Sequence, residues 1–307
     1  MNVFPNKNGF SGLTQSGMLL VGVSALLFAC KGTIVKFLYA QGASVADVML
    51  LRVLFALPVY GWVGAVHLKK EMHNLTVKTL MGTALVGIAG YYLASYLDLV
   101  GLQTVSVGLE RIILYTYPVF VILLSTIFPG KKISLPLCLC IAVIYAGLVM
   151  VFYADIRLQP SVPLLDTGKG SLFVLLSAMA FAVYVIGSDY YMRIFSSALF
   201  TSVAMMAAAL MMVLHYAVSS SFAQILQLSP AVYIGCAVMA LVFTVLPSFM
   251  MSAGVRQIGS AKAGAVGMIG PVATVLIAGT VLGEPVSVLQ LAGLAVVMLG
   301  VHRLHRS

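Results

Sequence analysis

The sequence predicts an all-α membrane protein of about ten transmembrane helices, arranged as two inverted five-helix repeats. Three observations carry this: an excess of apolar residues, short polar punctuation at regular spacing, and a match between the two halves of the chain in a single register.

Of the 307 residues, 62% are hydrophobic and 8% charged, against roughly 25% charged in soluble proteins. So few charges cannot cover a soluble surface of this size, whereas a bilayer removes the need along most of the outer wall. Ten helices of about 20 residues fill about two-thirds of such a chain and leave only short connections. The formal net charge is +9, but Lys and Arg are dispersed between apolar runs, which argues against a nucleic-acid partner and points to topology.

Apolar segments lie near 14–38, 47–67, 76–97, 103–128, 133–153, 169–190, 198–218, 229–251, 261–282 and 286–302. Backbone polar groups in lipid must be satisfied within the segment, so these segments are read as helices; the alternating pattern of a barrel is absent. Lys7 followed by Met18 to Ala29 resembles a signal sequence ending in Leu27-Phe28-Ala29-Cys30. Phe28 stands where a cleavage box prefers a small residue, so this segment is read as an uncleaved first span.

Basic residues set the orientation. Lys7, Lys69, Lys70, Lys78, Lys131, Lys132, Arg193, Arg256, Lys262, Arg303 and Arg306 fall on one side, and only Lys36, Arg157 and Lys169 on the other. Both termini are therefore expected in the cytoplasm, which requires an even number of spans.

Comparing each residue with the one 153 positions later needs no gap. Ser24-Ala25 meets Ser177-Ala178, Phe28-Ala29 meets Phe181-Ala182, and Gly82, Gly101, Gly130 and Gly147 meet Gly235, Gly254, Gly283 and Gly300. Pro118-Val119 meets Pro271-Val272, and Ser134 meets Ser287. The halves are accordingly 1–153 and 154–307, within one integral membrane domain. Five spans per copy turn the second copy upside down, an arrangement that can open to either face by exchanging the conformations of its halves, with a substrate near the midplane.

A fourth span with a central proline, then glycine, a charged residue and a short turn, occurs twice: Pro118 to Gly130-Lys131-Lys132-Ile133-Ser134, and Pro271 to Gly283-Glu284-Pro285-Val286-Ser287. This doubled pattern resembles the drug/metabolite transporter superfamily in its EamA-type, ten-span branch, over nearly the whole chain. The second copy is similar to the branch's G-E-x-x-[ST] turn; the first departs from it at Lys131, read as local charge placement, which argues against a symmetric role for Glu284. The resemblance implies a secondary transporter of a bacterial-type inner membrane. Its cargo would be a small polar metabolite (amino-acid-like, nucleobase, vitamin or organic anion), exported or exchanged, with a proton or cation as a possible coupling partner. It does not name the substrate.

Charges inside spans are costly and usually face protein or water. Lys31, which shares a helical face with Ser24, Phe28 and Val35, is a candidate cavity cation, or else snorkels to the interface. Glu110 and Arg111 precede Pro118 by about two turns; as helical neighbours about 100° apart they pair poorly with each other, and one or both must find a partner elsewhere. Their counterparts are Ala263 and Gly264, an asymmetry that substrate recognition would need. Arg111 could bind a carboxylate or phosphate and Glu110 a proton or cation; the structural alternative is an ion pair near the cytoplasmic end of the span, with Lys31 too distant to join. Arg52, close after Asp47, and Asp98 are expected to be solvated helix-end groups.

Tyr92, Ser95 and Tyr96 cluster in span three; Ser177, Tyr184 and Ser188 share a face of span six; Thr244, Ser248 and Ser252 recur every fourth residue in span eight. Of these, Tyr92, Tyr96, Tyr184 and Ser248, with Tyr115, are candidate substrate contacts, the alternative being hydrogen bonds to neighbouring helices. Tyr117 is equally ambiguous between substrate and bundle filling. Pro118 and Pro271 free the carbonyls of Leu114 and Gly267 and let equivalent helices bend. Both prolines, with Gly267 and Gly270, are candidate hinge or gate elements, although the repeated glycines also allow close helix packing.

No phosphate-loop motif is present, which argues against ATP-driven transport. Cys30, Cys138, Cys140 and Cys236 lie in apolar runs, and Cys138-Leu139-Cys140 is not a zinc spacing, so neither metal nor cofactor is expected. A membrane-embedded lipid-modifying enzyme would need convergent acid/base groups, whereas His67, His73, His215, His302 and His305 all stand near span ends. A receptor or assembly subunit would leave the duplication and the buried charges without a role. The protein is therefore expected to be no enzyme.

Overall fold

The computed structural model describes residues 7–71, 75–125, 135–158, 162–220, 222–258, 263 and 266–304. The Lys131 turn, Lys262 and Gly264 lie outside them. Among the described residues, eight helices are long and apolar enough to cross a membrane: span one Gln15–Ala40, two Val45–Glu71, three Val77–Gly101, four Val107–Leu124, five Cys138–Leu158, six Leu164–Tyr191, seven Ser197–Ser219 and eight Pro230–Val255. Two shorter apolar helices follow, span nine Ile269–Leu282 and span ten Val288–Arg303. This is a multi-pass helical membrane protein. Its outer wall is built of exposed apolar side chains such as Leu19, Trp62, Val77, Leu85, Val149 and Leu276.

Local chemistry sets several helix starts. The Ser106 hydroxyl accepts the Leu109 N–H at the start of span four, and Ser196 does the same for Leu199 ahead of span seven. Thr76 and Thr79 cap each other reciprocally at the start of span three.

Close contacts define the two ends of the bundle. At one, which we call the Glu284 end, a Glu284 oxygen accepts the Val107 N–H at 3.1 Å, Tyr39 donates to the Leu99 carbonyl, and Tyr216 donates to Asp47. At the other, the Gln257 end, Ser16 donates to Gln257 at 3.0 Å and Glu71 accepts the Ser196 N–H.

Span one packs on span eight, three on six, two on seven and five on ten. Exchanging first-half spans with their second-half counterparts maps this pairing onto itself. Atomic contacts repeat in the same way. The Ser24 hydroxyl donates to the Pro247 carbonyl at 2.9 Å, and 153 residues on, Ser177 donates to the Ala94 carbonyl at 2.7 Å. Gly101 sits against Gly170 and Val174, while Gly254 sits against Gly17 and Val21. Spans three and eight each widen into a π-helical turn, at Ile88–Leu93 and Leu241–Val245, whose first residues are again 153 apart. Each such turn carries one extra residue and marks an irregularity that helical periodicity does not reveal.

Helices break where sequence reading sees continuity. Span one turns at Cys30, between helical stretches Lys7–Ala29 and Lys31–Ala40. Span four is interrupted between Leu114 and Tyr117, just before Pro118, where the ring cannot accept the preceding helical turn. Span two, by contrast, runs through Pro58 without a break.

Candidate functional site

The break at Cys30 aims the start of the Lys31–Ala40 helix at spans three and four. Lys31 Nζ stands 3.7 Å from Asp98 Oδ2. Asp98 is 6% exposed and Arg52 5%, which corrects the expectation that both are solvated helix-end groups. Bends elsewhere in the bundle carry these residues inward: Asp98 lies one turn from the end of span three, yet the short 102–106 connection folds span four back beside it. Arg52, two turns into span two, faces the same interior, and the acid acting on it most strongly is Asp98. No carboxylate lies within ion-pair distance of Arg52 among the described residues.

Glu110 and Arg111 lie in the first turn and a half of span four, level with Lys31 at the Glu284 end. Lys31, expected to be too distant to join them, is close enough to interact with both. Their mutual contact is long, Arg111 Nε to Glu110 Oε2 at 3.8 Å, as helical geometry requires. Arg111 finds its other partner in the Phe28 carbonyl, 3.2 Å away and exposed by the turn at Cys30. Glu110, 1% exposed, interacts with Asp98 as well.

Five ionisable side chains thus share a nearly dry interior: Lys31, Arg52 and Arg111 with Asp98 and Glu110, a formal excess of one positive charge. Asp98 Oδ1, Glu110 Oε2, Arg111 Nε and the nearby Thr33 Oγ1 are buried without a hydrogen-bond partner. Such atoms cost about 1–3 kcal/mol each when left unsatisfied. Adding 153 to these five positions gives Tyr184, Met205, Met251, Ala263 and Gly264. The scaffold repeats, and its charge does not.

An outer tier completes the Glu284 end. Glu284 caps the first turn of span four through Val107, and Asp155 approaches the Ser106 N–H at 3.5 Å. Lys36 stands between the two acids. Burial raises the Glu284 carboxyl above its ordinary pKa, opposed by the Val107 amide and by Lys36. Both acids are thus committed to the positive end of a helix.

The tyrosines expected near substrate form a separate layer toward mid-bundle. Tyr184 shares a 2.9 Å hydrogen bond with Tyr91 and packs against Phe181 and Phe200. Ser248 shares a 2.9 Å hydrogen bond with Tyr60, whose ring meets Phe249 at 5.5 Å. Tyr60 in turn interacts with Arg52 and so joins this layer to the charge cluster. Tyr60 and Tyr91 went unread in the sequence because a tyrosine in an apolar run has no distinguishing neighbour. Tyr92 and Tyr96 stand apart, around His215: Tyr92 Oη is 2.8 Å from His215 Nδ1, and the Tyr96 ring centroid lies 4.8 Å from the imidazole. Of the remaining polar stripe, Ser252 donates to the Ser248 carbonyl and Thr244 to that of Met239, which satisfies them within their own helix.

Beyond Phe249, a cleft of about 580 Å³ opens at the Gln257 end, lined by Ser197, Ala198, Phe249, Ser252, Ala253 and Gln257. The Glu284 end is filled by the charge cluster and its outer tier.

Pro118 and Pro271 occupy equivalent places in spans four and nine. The Gly267 carbonyl that Pro271 frees accepts the Tyr115 hydroxyl, and a Cβ added at Gly270 would approach that hydroxyl to 2.7 Å. Gly270 therefore makes room for Tyr115, and the Gly267 carbonyl holds its hydroxyl, in a joint between the two proline-bearing spans.

Residues 15–153 and again 168–303 match the model of the EamA-like transporter family. An uncharacterized transporter of Bacillus subtilis (strain 168), YcbK, is 26% identical over 284 residues, covering 91% of this chain and 89% of that protein. A solved structure described only as the crystal structure of a protein superposes with a TM-score of 0.61 over 93% of this chain and 95% of that one, at 15% identity, a likeness of fold alone.

Proposed function

Because the chain belongs to the EamA-like transporter family, we propose that it carries a small polar metabolite across a bacterial-type inner membrane by alternating access, as an exporter or exchanger, with both termini cytoplasmic. In this reading the Gln257 end faces the cytoplasm, in keeping with the bias of basic residues, and the arrangement is open inward. Residues 1–153 and 154–307 are two inverted five-span halves, a reading supported by the contacts that recur 153 residues apart.

One observation carries the proposal: a succession of buried polar and charged side chains spans the depth of the bundle. Its members are the cleft at Ser252 and Phe249, the hydrogen-bonded pairs of Ser248 with Tyr60 and Tyr91 with Tyr184, and the charged residues Arg52, Lys31, Asp98, Glu110 and Arg111. Buried charge of this density is expensive in lipid, and a transport pathway gives it a use. The aromatic hydroxyl layer supplies neutral hydrogen-bonding contacts at mid-depth, and the charge cluster closes the far side. Purified protein in liposomes, preloaded with a metabolite panel, is expected to exchange at least one polar metabolite faster than protein-free vesicles. Folded protein that moves no member of a broad panel would refute the reading.

The joint between spans four and nine is the proposed hinge. Pro271→Ala restores a backbone donor toward Gly267 and competes with the Tyr115 hydroxyl for that carbonyl. The variant is expected to fold and to bind cargo, with turnover lowered about fivefold because the bend must now break a helical bond worth about 1 kcal/mol. Initial exchange rates at saturating cargo are the measurement, and an unchanged rate would remove Pro271 from the gate.

A further inference from the structure

We infer that Lys31, Arg52 and Arg111 form a binding site for an anionic group, a carboxylate or phosphoryl, on the cargo; as a claim about cargo it rests on the transport reading, while the binding itself is testable alone. The argument begins with charge. A buried cluster of three cations and two acids has one cation too many, and an uncompensated charge in a dry interior is strongly disfavoured. A bound monoanion neutralises the set, whereas a bound cation or an added proton enlarges the imbalance.

The geometry agrees with the count. Arg52 has no acid within ion-pair distance among the described residues and is 5% exposed. Arg111 Nε makes no hydrogen bond, only the 3.8 Å contact with Glu110. Lys31 is held by Asp98 only at 3.7 Å, loose for a charge-assisted bond, whose usual length is about 2.7–2.9 Å. Two guanidinium groups offer flat forks suited to a carboxylate or phosphoryl group. The other charged groups nearby do not supply the missing anion. Glu284 and Asp155 are committed to the first turn of span four and to Lys36. Tyr39, against Asp98, and Cys30 and Tyr115, against Arg111, are neutral groups. The second half has Tyr184, Met205, Met251, Ala263 and Gly264 at the equivalent positions, so these five positions carry the excess in the first half alone.

The test uses the full-length protein in detergent at fixed ionic strength, with benzoate, phenyl phosphate, benzamide and benzylamine as probes of similar shape. Benzoate or phenyl phosphate is expected to raise Tm by at least about 3 °C at saturation, and benzamide and benzylamine by less than about 1 °C. Which of the two anions acts distinguishes carboxylate from phosphoryl recognition. Arg52→Met, which installs the side chain found at Met205, is expected to abolish the anion-induced shift while leaving the Tm without probe equal or higher, because the excess charge is gone. Arg52→Lys should keep a reduced shift. A wild type stabilised equally by benzamide or benzylamine, or an Arg52→Met variant that keeps the full shift, would overturn the site. Flux of a neutral cargo with no anion response would overturn the site and leave transport standing, and anion stabilisation without any flux would do the reverse.

Discussion

Glu110→Ala is expected to lower the stability of the detergent-solubilised protein by about 3–5 kcal/mol, the usual cost of removing one partner from a buried ionic group, and to abolish flux. Glu110 is 1% exposed, and without it Lys31, Arg52 and Arg111 face Asp98 alone. The net buried charge doubles, from one excess cation to two. Arg111→Ala moves the formal count the other way, to two cations and two acids, and forfeits its bond to the Phe28 carbonyl, its long contact with Glu110 and its packing. It should therefore cost clearly less than Glu110→Ala, even though arginine is the larger side chain. The double variant returns to a single excess cation and should fall between the two, which makes the pair's coupling measurable as a double-mutant cycle. Thermal unfolding of the four proteins checks the order. If Arg111→Ala proves the more damaging, packing and not charge balance governs this region, and the charge-excess argument fails at its root.

How much of this was legible beforehand depends on whether a feature lives in periodicity or in a bend. The helical membrane fold and the presence of Lys31, Glu110 and Arg111 within the bundle follow from composition and spacing, because a charge in an apolar run is conspicuous. Arg52 and Asp98 are equally visible as charges but sit close to helix ends, where sequence alone favours solvent. Their burial comes from the turn at Cys30, the short 102–106 connection and the packing of spans two, three and four, none of which a periodic pattern encodes. The π-helical turns of spans three and eight are silent for the same reason, since one additional residue per turn shifts a face without changing composition. Tyr92 and Tyr96, chosen for their clustering, instead engage His215, whose place near the end of span seven gave no sign of a partner in span three. For Glu284 the sequence argues only against a symmetric role, because its counterpart is Lys131. Its observed contact is to a backbone amide of span four, a bond that depends on reach and not on symmetry.

The second large effect concerns the seams between halves. Gly101→Leu and Gly254→Leu are each expected to cost about 3 kcal/mol or more and to prevent accumulation of folded protein, whereas Gly61→Leu, in span two, should be neutral or slightly stabilising. A Cβ at Gly101 would stand 2.5 Å from a Val174 methyl and 2.7 Å from the Gly170 carbonyl oxygen, and one at Gly254 would stand 2.6 Å from a Val21 methyl and 3.0 Å from the Gly17 carbonyl oxygen. A methyl can yield, but a helical carbonyl cannot without moving its whole span, so overpacking here falls at or beyond the upper end of its usual range of about 1–3 kcal/mol. Gly61 meets nothing within 4 Å, and replacing a helical glycine there recovers up to about 1 kcal/mol of propensity. Val174→Ala should rescue Gly101→Ala only in part, because it removes the methyl and leaves the carbonyl in place. Tm and yield after extraction report all of these. The two seams lie at opposite ends of the bundle, span three meeting span six toward the Glu284 end and span eight meeting span one toward the Gln257 end. If the halves are inverted copies of one unit, the same substitution must fail at both ends by a similar amount. Tolerance at one seam with collapse at the other would mean that the 153-residue match describes ancestry of sequence without equivalence of architecture, and an alternating exchange between the halves would lose its physical basis.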